Sequence, residues 1–299
     1  MKSTILVLLA ACNGEKWLKK QVDIIFCQLN VNVRVVISID ASTDKTIECV
    51  HQLKSLYPSL ELLSQNVVLG GAAKNFFYLL REVNLAGVDY VALSDQDDIW
   101  FVDKLKRAIE KMDMNRVAAY SSNVNAFWEN GKTLLINKAQ PQTAFDFMFE
   151  SAGPGCTFVL HRDLATDIQD FLKKHKHQSD QIALHDWFIY AYARSKHYNW
   201  YIDPEPTMLY RQHENNVIGA NRGLKPMLAR LNKIRHGWYD SQIKLIAQTL
   251  GYQHTWPIQL LIRLTFKDRL TLALHARQFR RRLRDQIAFA IYVLLLAKK

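Results

Sequence analysis

Asp95, Asp97 and Asp98 stand within four positions of one another in the stretch Leu93 to Trp100, LSDQDDIW, directly after the apolar run that begins at Asp89. Three carboxylates this close repel one another, so the arrangement is costly unless something positive sits among them or the loop is well solvated. A divalent cation held there would bridge carboxylate and phosphate oxygens and neutralise both. Asp40 closes a second apolar run, Val33 to Ile39, and opens the polar stretch DASTDKT. Asp186 lies between His185 and Trp187 at the start of QIALHDWFIYAYA, whose apolar residues would bury it as a helix. A carboxylate oriented and partly desolvated in this way suits a general base that takes a proton from an attacking hydroxyl. The plainer alternative for Asp186 is a helix N-cap, and for Asp40 a turn residue.

These carboxylates need a scaffold that gathers them. Thr4 to Ala11, Val33 to Ile39, Leu60 to Leu63 and Tyr90 to Ser94 are short, nearly continuous apolar runs, the pattern of parallel strands covered on both faces. Between them lie helical candidates, Glu15 to Gln28, Asp44 to Leu56 and Ala73 to Asn84. The alternation predicts an α/β fold with right-handed β-α-β units and a mainly parallel central sheet flanked by helices. Ligands of such sheets bind beyond the carboxyl ends of the strands, which here carry CNGEKW, DASTDKT and DQDD. Asn13 and either Ser42 or Thr43 are expected to cap the following helices and turn their N-termini toward the same cleft.

Composition bounds the reading. The chain has 299 residues, 49% of them hydrophobic, enough for one large core or a core with a small appendage. Cys12, Cys27, Cys49 and Cys156 show no metal-binding spacing, so a zinc site is not expected. MKSTILVLLAAC has the outline of a short lipoprotein signal, but it carries a single n-region Lys2, a minimal apolar stretch and no flexible linker, so it reads as a buried first strand.

The net charge of +11 is local: from Gly223 onward 15 Lys and Arg face three acids, and residues 1–222 are nearly neutral. RQFRRRLRD, Arg277 to Asp285, precedes an apolar run to Ala297 that is too short to span a bilayer, where about 20 residues are needed. Membrane surface, nucleic-acid patch and solvated face of a helical cap compete for this tail. The side-by-side basic and apolar residues favour an anionic membrane surface, and nothing in residues 1–222 reads as a nucleic-acid module.

LLAACNGEKWL, ISIDASTDKT, LGGAAKNF, LSDQDDIW, GPGCTFVLHR, HDW and YRQHENNVIGA, in this order, resemble family 2 glycosyltransferases, in particular the bacterial branch that includes rhamnosyltransferases. The resemblance covers roughly residues 1–222, which implies a GT-A catalytic domain there and a basic, mostly helical region at 223–299. It further implies a nucleotide-diphosphate-sugar donor, dTDP- or UDP-linked, a divalent cation, Mg²⁺ or Mn²⁺, and inversion at the anomeric carbon. The acceptor would be a glycan or lipid-linked glycan of surface polysaccharide synthesis. The enzyme would work in the cytoplasm, at the inner face of the membrane.

Carried over by residue, the resemblance gives Asp95 and Asp97 to the metal and the donor, with His213 as a further metal ligand. It gives Ala11, Asn13, Asp40, Ser42 and Arg211 to the nucleotide, Asp40 accepting from the N3–H of the base, and Asp186 to general base catalysis. Asp98 is either a neighbour in this motif or the cap of a helix over Phe101 to Met112. ACNG and IDASTD depart from the family's usual TYNG and DDGSTD, and Cys12 removes an aromatic that would stack on the base, a loss of about 1 kcal/mol. Two rivals keep the same residues in view: hydrolysis of the nucleotide sugar or nucleotidyl transfer in the same cleft, and a catalytically inactive module that binds glycan or scaffolds a membrane assembly.

Overall fold

The structure is a computed structural model, and it describes residues 2–63, 68–212 and 237–296. The boundary expected at 222/223 and the metal-ligand candidate His213 fall outside the described residues. The expected strands form as β1 (Thr4–Ala11), β2 (Asn32–Ile39), β3 (Leu60–Leu62) and β4 (Tyr90–Asp95). In β1, Ile5 to Leu9 have no solvent exposure, because helices cover both faces of the sheet. The segment weighed as a signal is thus a central strand, paired in parallel with β2 and with β4.

The intervening helices are α1 (Leu18–Phe26), α2 (Thr46–Leu56) and α3 (Ala72–Glu82). Leu18, Val22 and Ile25 recur at helical spacing on the buried face of α1, and Phe76, Phe77, Leu79 and Leu80 do so on α3. Burying each such side chain contributes about 1.5–3 kcal/mol.

β5 (Ile99–Trp100) leads into α4 (Lys104–Asn115), followed by β6 (Ala119–Ser122), β7 (Val124–Phe127), β8 (Thr133–Ile136), β9 (Val159–His161), β10 (Trp200–Asp203) and β11 (Met208–Arg211). The main sheet has the order β10-β6-β9-β4-β1-β2-β3, and a smaller one has the order β5-β11-β7-β8. In the main sheet β9 alone runs antiparallel, wedged between β4 and β6. The glycine-rich turn before β9, Gly153 to Thr157, is therefore brought to the carboxyl end of β4, beside the acidic loop.

Among the described residues after 237 come four α-helices, Trp238–Thr249, Trp256–Arg263, Phe266–Leu274 and Leu283–Leu295, with a 3-10 turn at Ala276–Gln278. Ile243, Ile246, Phe279, Phe289 and Val293 share one buried cluster with Phe76, Phe149 and Phe188, so these helices complete the core on one face of the sheet. The arginine run is divided by this packing. Arg281 Nη1 donates to Asp146 Oδ2 at 2.8 Å, its Nη2 donates to the Ser151 carbonyl at 2.7 Å, and its side chain has no solvent exposure. Arg280 donates to the Phe149 carbonyl at 2.8 Å and to the Tyr239 hydroxyl at 2.9 Å. Two of the residues expected on a membrane surface are instead the fasteners of the C-terminal helices, since a guanidinium placed in a core must be paired.

Arg281→Gln is expected to lower unfolding stability by about 3 kcal/mol, because it takes a buried guanidinium from Asp146, which then keeps Arg194 and Tyr190 as partners. Urea denaturation measures this. Arg284→Gln, whose side chain is 72% exposed, should change stability by less than about 0.5 kcal/mol. Equal losses in the two variants would show that the Arg281 network does not hold the helices down.

Candidate active site

The loops after β1 and β2 are sewn to each other. The Asn13 amide donates to Ser42 Oγ at 3.0 Å, the Thr43 amide donates to Asn13 Oδ1 at 2.8 Å, and the Gly14 amide donates to Thr46 Oγ1 at 2.7 Å. Neither Asn13 nor Ser42 caps a helix as expected: α1 and α2 begin at Leu18 and Thr46 with no side-chain cap, because these polar groups are spent across the loops. A third loop joins them through Gln96, whose Oε1 accepts from the Cys12 amide at 2.9 Å while its Nε2 donates to the Cys12 carbonyl at 2.8 Å. A Cβ at Gly14 would meet the Gln96 amide, so a side chain there would push Gln96 off its bonds to Cys12.

Asp40 accepts from four backbone amides, Ala41, Leu69, Gly70 and Gly71, at 2.8–2.9 Å. Burial would raise its pKa, but these amides outweigh burial and hold the carboxyl below its usual range. A carboxylate offers about four acceptor sites, so all of them are used. To read a base N3–H, Asp40 has to exchange one of these amides for the base.

Asp95 ends β4. Its carboxyl is pushed well above the usual range by burial and then by the Asp97 charge; Cys156 opposes this and Asp186 adds to it. Asp98 is buried beneath the loop. Its Oδ1 accepts from the Arg211 amide at 3.3 Å, and its Oδ2 has no hydrogen-bond partner among the described residues. The helix it was expected to cap starts later, at Lys104, behind Asp103, so Asp98 belongs to the acidic cluster. Asp95, Asp98 and Cys156 each place a potential ligand atom within 4.8 Å of the others. The Asp95 and Asp98 carboxyl oxygens are the ligand type a hard divalent cation takes, and the Cys156 thiol is not. The buried Lys104 ammonium lies 4.0 Å from the Trp100 ring centroid, and burial brings its pKa down to about 8, with Cys156 and Asp98 acting against the shift.

Asp186 lies in the first turn of the helix His185–Ser195, where the helix dipole favours a carboxylate. Its Oδ1 accepts from the Trp187 amide at 2.7 Å. Burial raises its pKa to about 6, against the Trp187 amide, Lys138 and Ser151. His185 stacks on Phe76 at 4.1 Å, its Nε2 has no partner among the described residues, and burial lowers its pKa to about 3, so the ring is neutral. Gly155 lies against that ring so closely that a Cβ would overlap it, which locks the turn before β9 to the residue preceding Asp186.

Ala11, Asn13, Asp40, Asp95, Asp97 and Asp186, among others, line one cleft of about 1190 Å³, with Asp98 and Cys156 behind its wall. Ser42 and Arg211 are not among its lining residues. Arg211 instead supports the acidic loop from behind, its Nε donating to the Asp97 carbonyl at 2.8 Å and its guanidinium resting 4.6 Å from the Phe127 ring centroid. Sequence reasoning passed over Gln96 and His185 as parts of the site, although each adjoins a motif residue. It also passed over Trp238, Tyr239, Arg282 and Arg284, which line the cleft from the C-terminal helices and carry no local motif.

Residues 6–222 match the family described as glycosyl transferase family 2. The chain is 42% identical over 288 residues to the dTDP-rhamnosyl transferase RfbG of Shigella flexneri, an alignment that covers 96% of this chain and 99% of that one. Among solved structures, the chain is similar to Staphylococcus aureus TarS 1–349 in complex with UDP, with a TM-score of 0.56, 15% identity, and 97% and 90% of the two chains covered. It is also similar to the mannosyltransferase PcManGT of Pyrobaculum calidifontis in complex with GDP-Man and Mn²⁺, with a TM-score of 0.50, 15% identity, and 97% and 84% covered. On these matches the chain belongs to glycosyl transferase family 2: it is a glycosyltransferase with the GT-A fold.

Proposed function

We propose that the protein transfers rhamnose, with inversion, from a dTDP- or UDP-linked donor to a glycan or lipid-linked acceptor during surface polysaccharide synthesis. The observation that carries this reading is that Asp186, from the second half of the chain, opens into the same cleft as Asp95 and Asp97. An inverting transfer needs a base on the acceptor side and charge stabilisation on the side of the leaving diphosphate. The name of the near full-length relative supports dTDP-rhamnose as donor.

In this reading Asp95 and Asp97, with Asp98 beside Asp95, would hold a divalent cation, Mg²⁺ or Mn²⁺, through the oxygen ligands such ions take. Bound there, the ion would neutralise the diphosphate as it departs. Asp186 accepts the proton of the acceptor hydroxyl as its oxygen attacks the anomeric carbon. Ala11, Asn13 and Asp40 wall the nucleotide end, Ser42 holds the Asn13 loop in place, and Arg211 holds the acidic loop. Residues 1–222 would carry the catalytic groups, and the described helices after residue 237 would close the cleft behind them.

We place the enzyme at the inner face of the cytoplasmic membrane. Phe266, Leu270 and Leu274 on one helix and Leu283, Ile287 and Ile291 on another are exposed at helical spacing, beside the basic Lys267, Arg277 and Arg284. Among the described residues no helix is long and apolar enough to cross a bilayer. The arrangement therefore suits binding to an anionic surface.

Incubation with dTDP-rhamnose, UDP-glucose and GDP-mannose, each with and without Mn²⁺ or Mg²⁺, tests the donor. The expected result is metal-dependent consumption of dTDP-rhamnose with appearance of a rhamnosylated acceptor from a membrane extract. Nucleotide release with no glycosylated product would point to hydrolysis, and no turnover of any donor would point to the inactive module.

A further inference from the structure

β1 and β4 pair in parallel as far as Ala10 and Asp95, while β1 and β2 stay paired one step further, to Ala11 and Ile39. Cys12 is thus left past the end of the β4 pairing, where the chain after Asp95 turns away into the acidic loop. Gln96 reaches back to it. Its Oε1 accepts from the Cys12 amide at 2.9 Å, and its Nε2 donates to the Cys12 carbonyl at 2.8 Å. A primary amide carries the same donor and acceptor as a peptide group, so this side chain continues the ladder after its own backbone has left it. Asp97 can then stand on the cleft wall while its loop stays fastened to β1.

The fastening carries on to the loop after β2. Beyond the Asn13 and Gly14 bonds already described, the Glu15 amide donates to Asp44 Oδ2 at 3.0 Å and the Lys45 amide donates to Glu15 Oε2 at 3.2 Å. Gln96 therefore joins the acidic loop to two loops that are already one unit. Gly14 bears on the same contact independently. Its backbone lies outside the left-handed region, so what its missing Cβ provides is room for the Gln96 amide.

We infer that Gln96 is a positioning residue that fixes the spacing between the nucleotide end of the cleft and its metal end, so that both ends of one donor are held at once. The inference rests on the transferase reading above and on its nucleotide-diphosphate donor. Ala11, Asn13 and Asp40 line the first end, and Asp95 and Asp97 the second. A ligand that spans two binding elements gains from the second only when their spacing suits it. Elements already held at that spacing need no ordering when the ligand arrives. Thymidine touches the first end alone, whereas dTDP with Mn²⁺ touches both, so only the second depends on Gln96.

On the full chain, calorimetry measures dTDP in Mn²⁺ and saturation-transfer NMR measures thymidine. Gln96→Ala is expected to weaken dTDP about tenfold, through loss of the two hydrogen bonds that order the loops, and to leave thymidine within about twofold of the wild type. Gly14→Ala should do the same from the other side of the contact, because its methyl displaces the Gln96 amide. The two effects should not add. With the Gln96 side chain removed, the nearest obstacle to that methyl is gone, so the double variant should bind dTDP as Gln96→Ala does. Hydrogen exchange at the Cys12 amide should quicken in all three variants without ligand.

Three outcomes overturn the inference: wild-type affinity for dTDP in Gln96→Ala, losses that add in the double variant, or an equal fall of thymidine and dTDP. The last would make Gln96 a support of the fold alone. If the wild type takes UDP rather than dTDP, UDP and uridine serve as the probes with the same expectations. Failure of the transferase reading shows separately, as absence of Mn²⁺-dependent binding of both diphosphates in the wild type, and removes the inference with it.

Discussion

Asp97→Asn is expected to remove sugar transfer and metal-dependent nucleotide binding while leaving the fold intact. Asp97 is 9% exposed on the cleft wall, and the amide has nearly the same shape as the carboxylate, so packing is preserved while a charge is lost. A carboxylate that helps hold a divalent cation against a diphosphate contributes several kcal/mol to the transition state, so turnover should fall by about a thousandfold or more. Calorimetry with dTDP in the presence and absence of Mn²⁺, alongside thermal melts, measures both halves of this expectation. Wild-type affinity in Mn²⁺ would sink it. Asp98→Asn is the informative companion, because the structure sets Asp98 and Cys156 against Asp95: a larger loss of metal dependence in Asp98→Asn would move the ion from Asp97 to that inner group.

Asp186→Asn should behave differently. Donor binding stays close to normal and turnover falls between about a hundredfold and ten-thousandfold, the range for loss of a general base. The pH profile adds a signature that a structural role would not give. Burial raises the Asp186 pKa to about 6, so the carboxyl is protonated and inactive as a base below that pH and ionised above it. Activity of the wild type should thus climb as pH rises through about 6, and this limb should vanish in the residual activity of Asp186→Asn. An acid limb that persists in the variant, or donor binding lost to the same degree as in Asp97→Asn, would place Asp186 in the donor site instead.

The sequence by itself determined the four strands β1 to β4 and where the chemistry gathers, whereas β5 to β8, β10 and β11 carry no such continuous apolar run. Runs such as Ile5 to Leu9 and Tyr90 to Ser94 have too little polar surface to lie anywhere but in the middle of a covered sheet, and parallel strands joined by helices must deliver their trailing loops to one edge. Asp40 and Asp95, each placed at the end of such a run, and Asp97 just beyond, could therefore be put in one cleft from local pattern alone. Tertiary structure decided what each polar group does there.

Asn13 and Ser42 look like helix caps in isolation, yet the Asn13 side chain finds Thr43, 30 residues on, and the Ser42 hydroxyl finds the Asn13 amide, 29 residues back. Asp98 is one of three similar carboxylates in the sequence, but it is the one turned under the loop toward Cys156 and the Arg211 amide. Arg280 to Arg282 and Arg284 form one basic run, and no local rule separates them. Arg281 is buried against Asp146 and Glu150 while Arg282 and Arg284 face the cleft, because only the packing of the last helix against a segment some 130 residues earlier supplies counter-charges to some positions and not to others. Local periodicity fixes which face of an element is apolar, whereas the pairing of a charge is set by whatever the rest of the chain brings within about 4 Å of it.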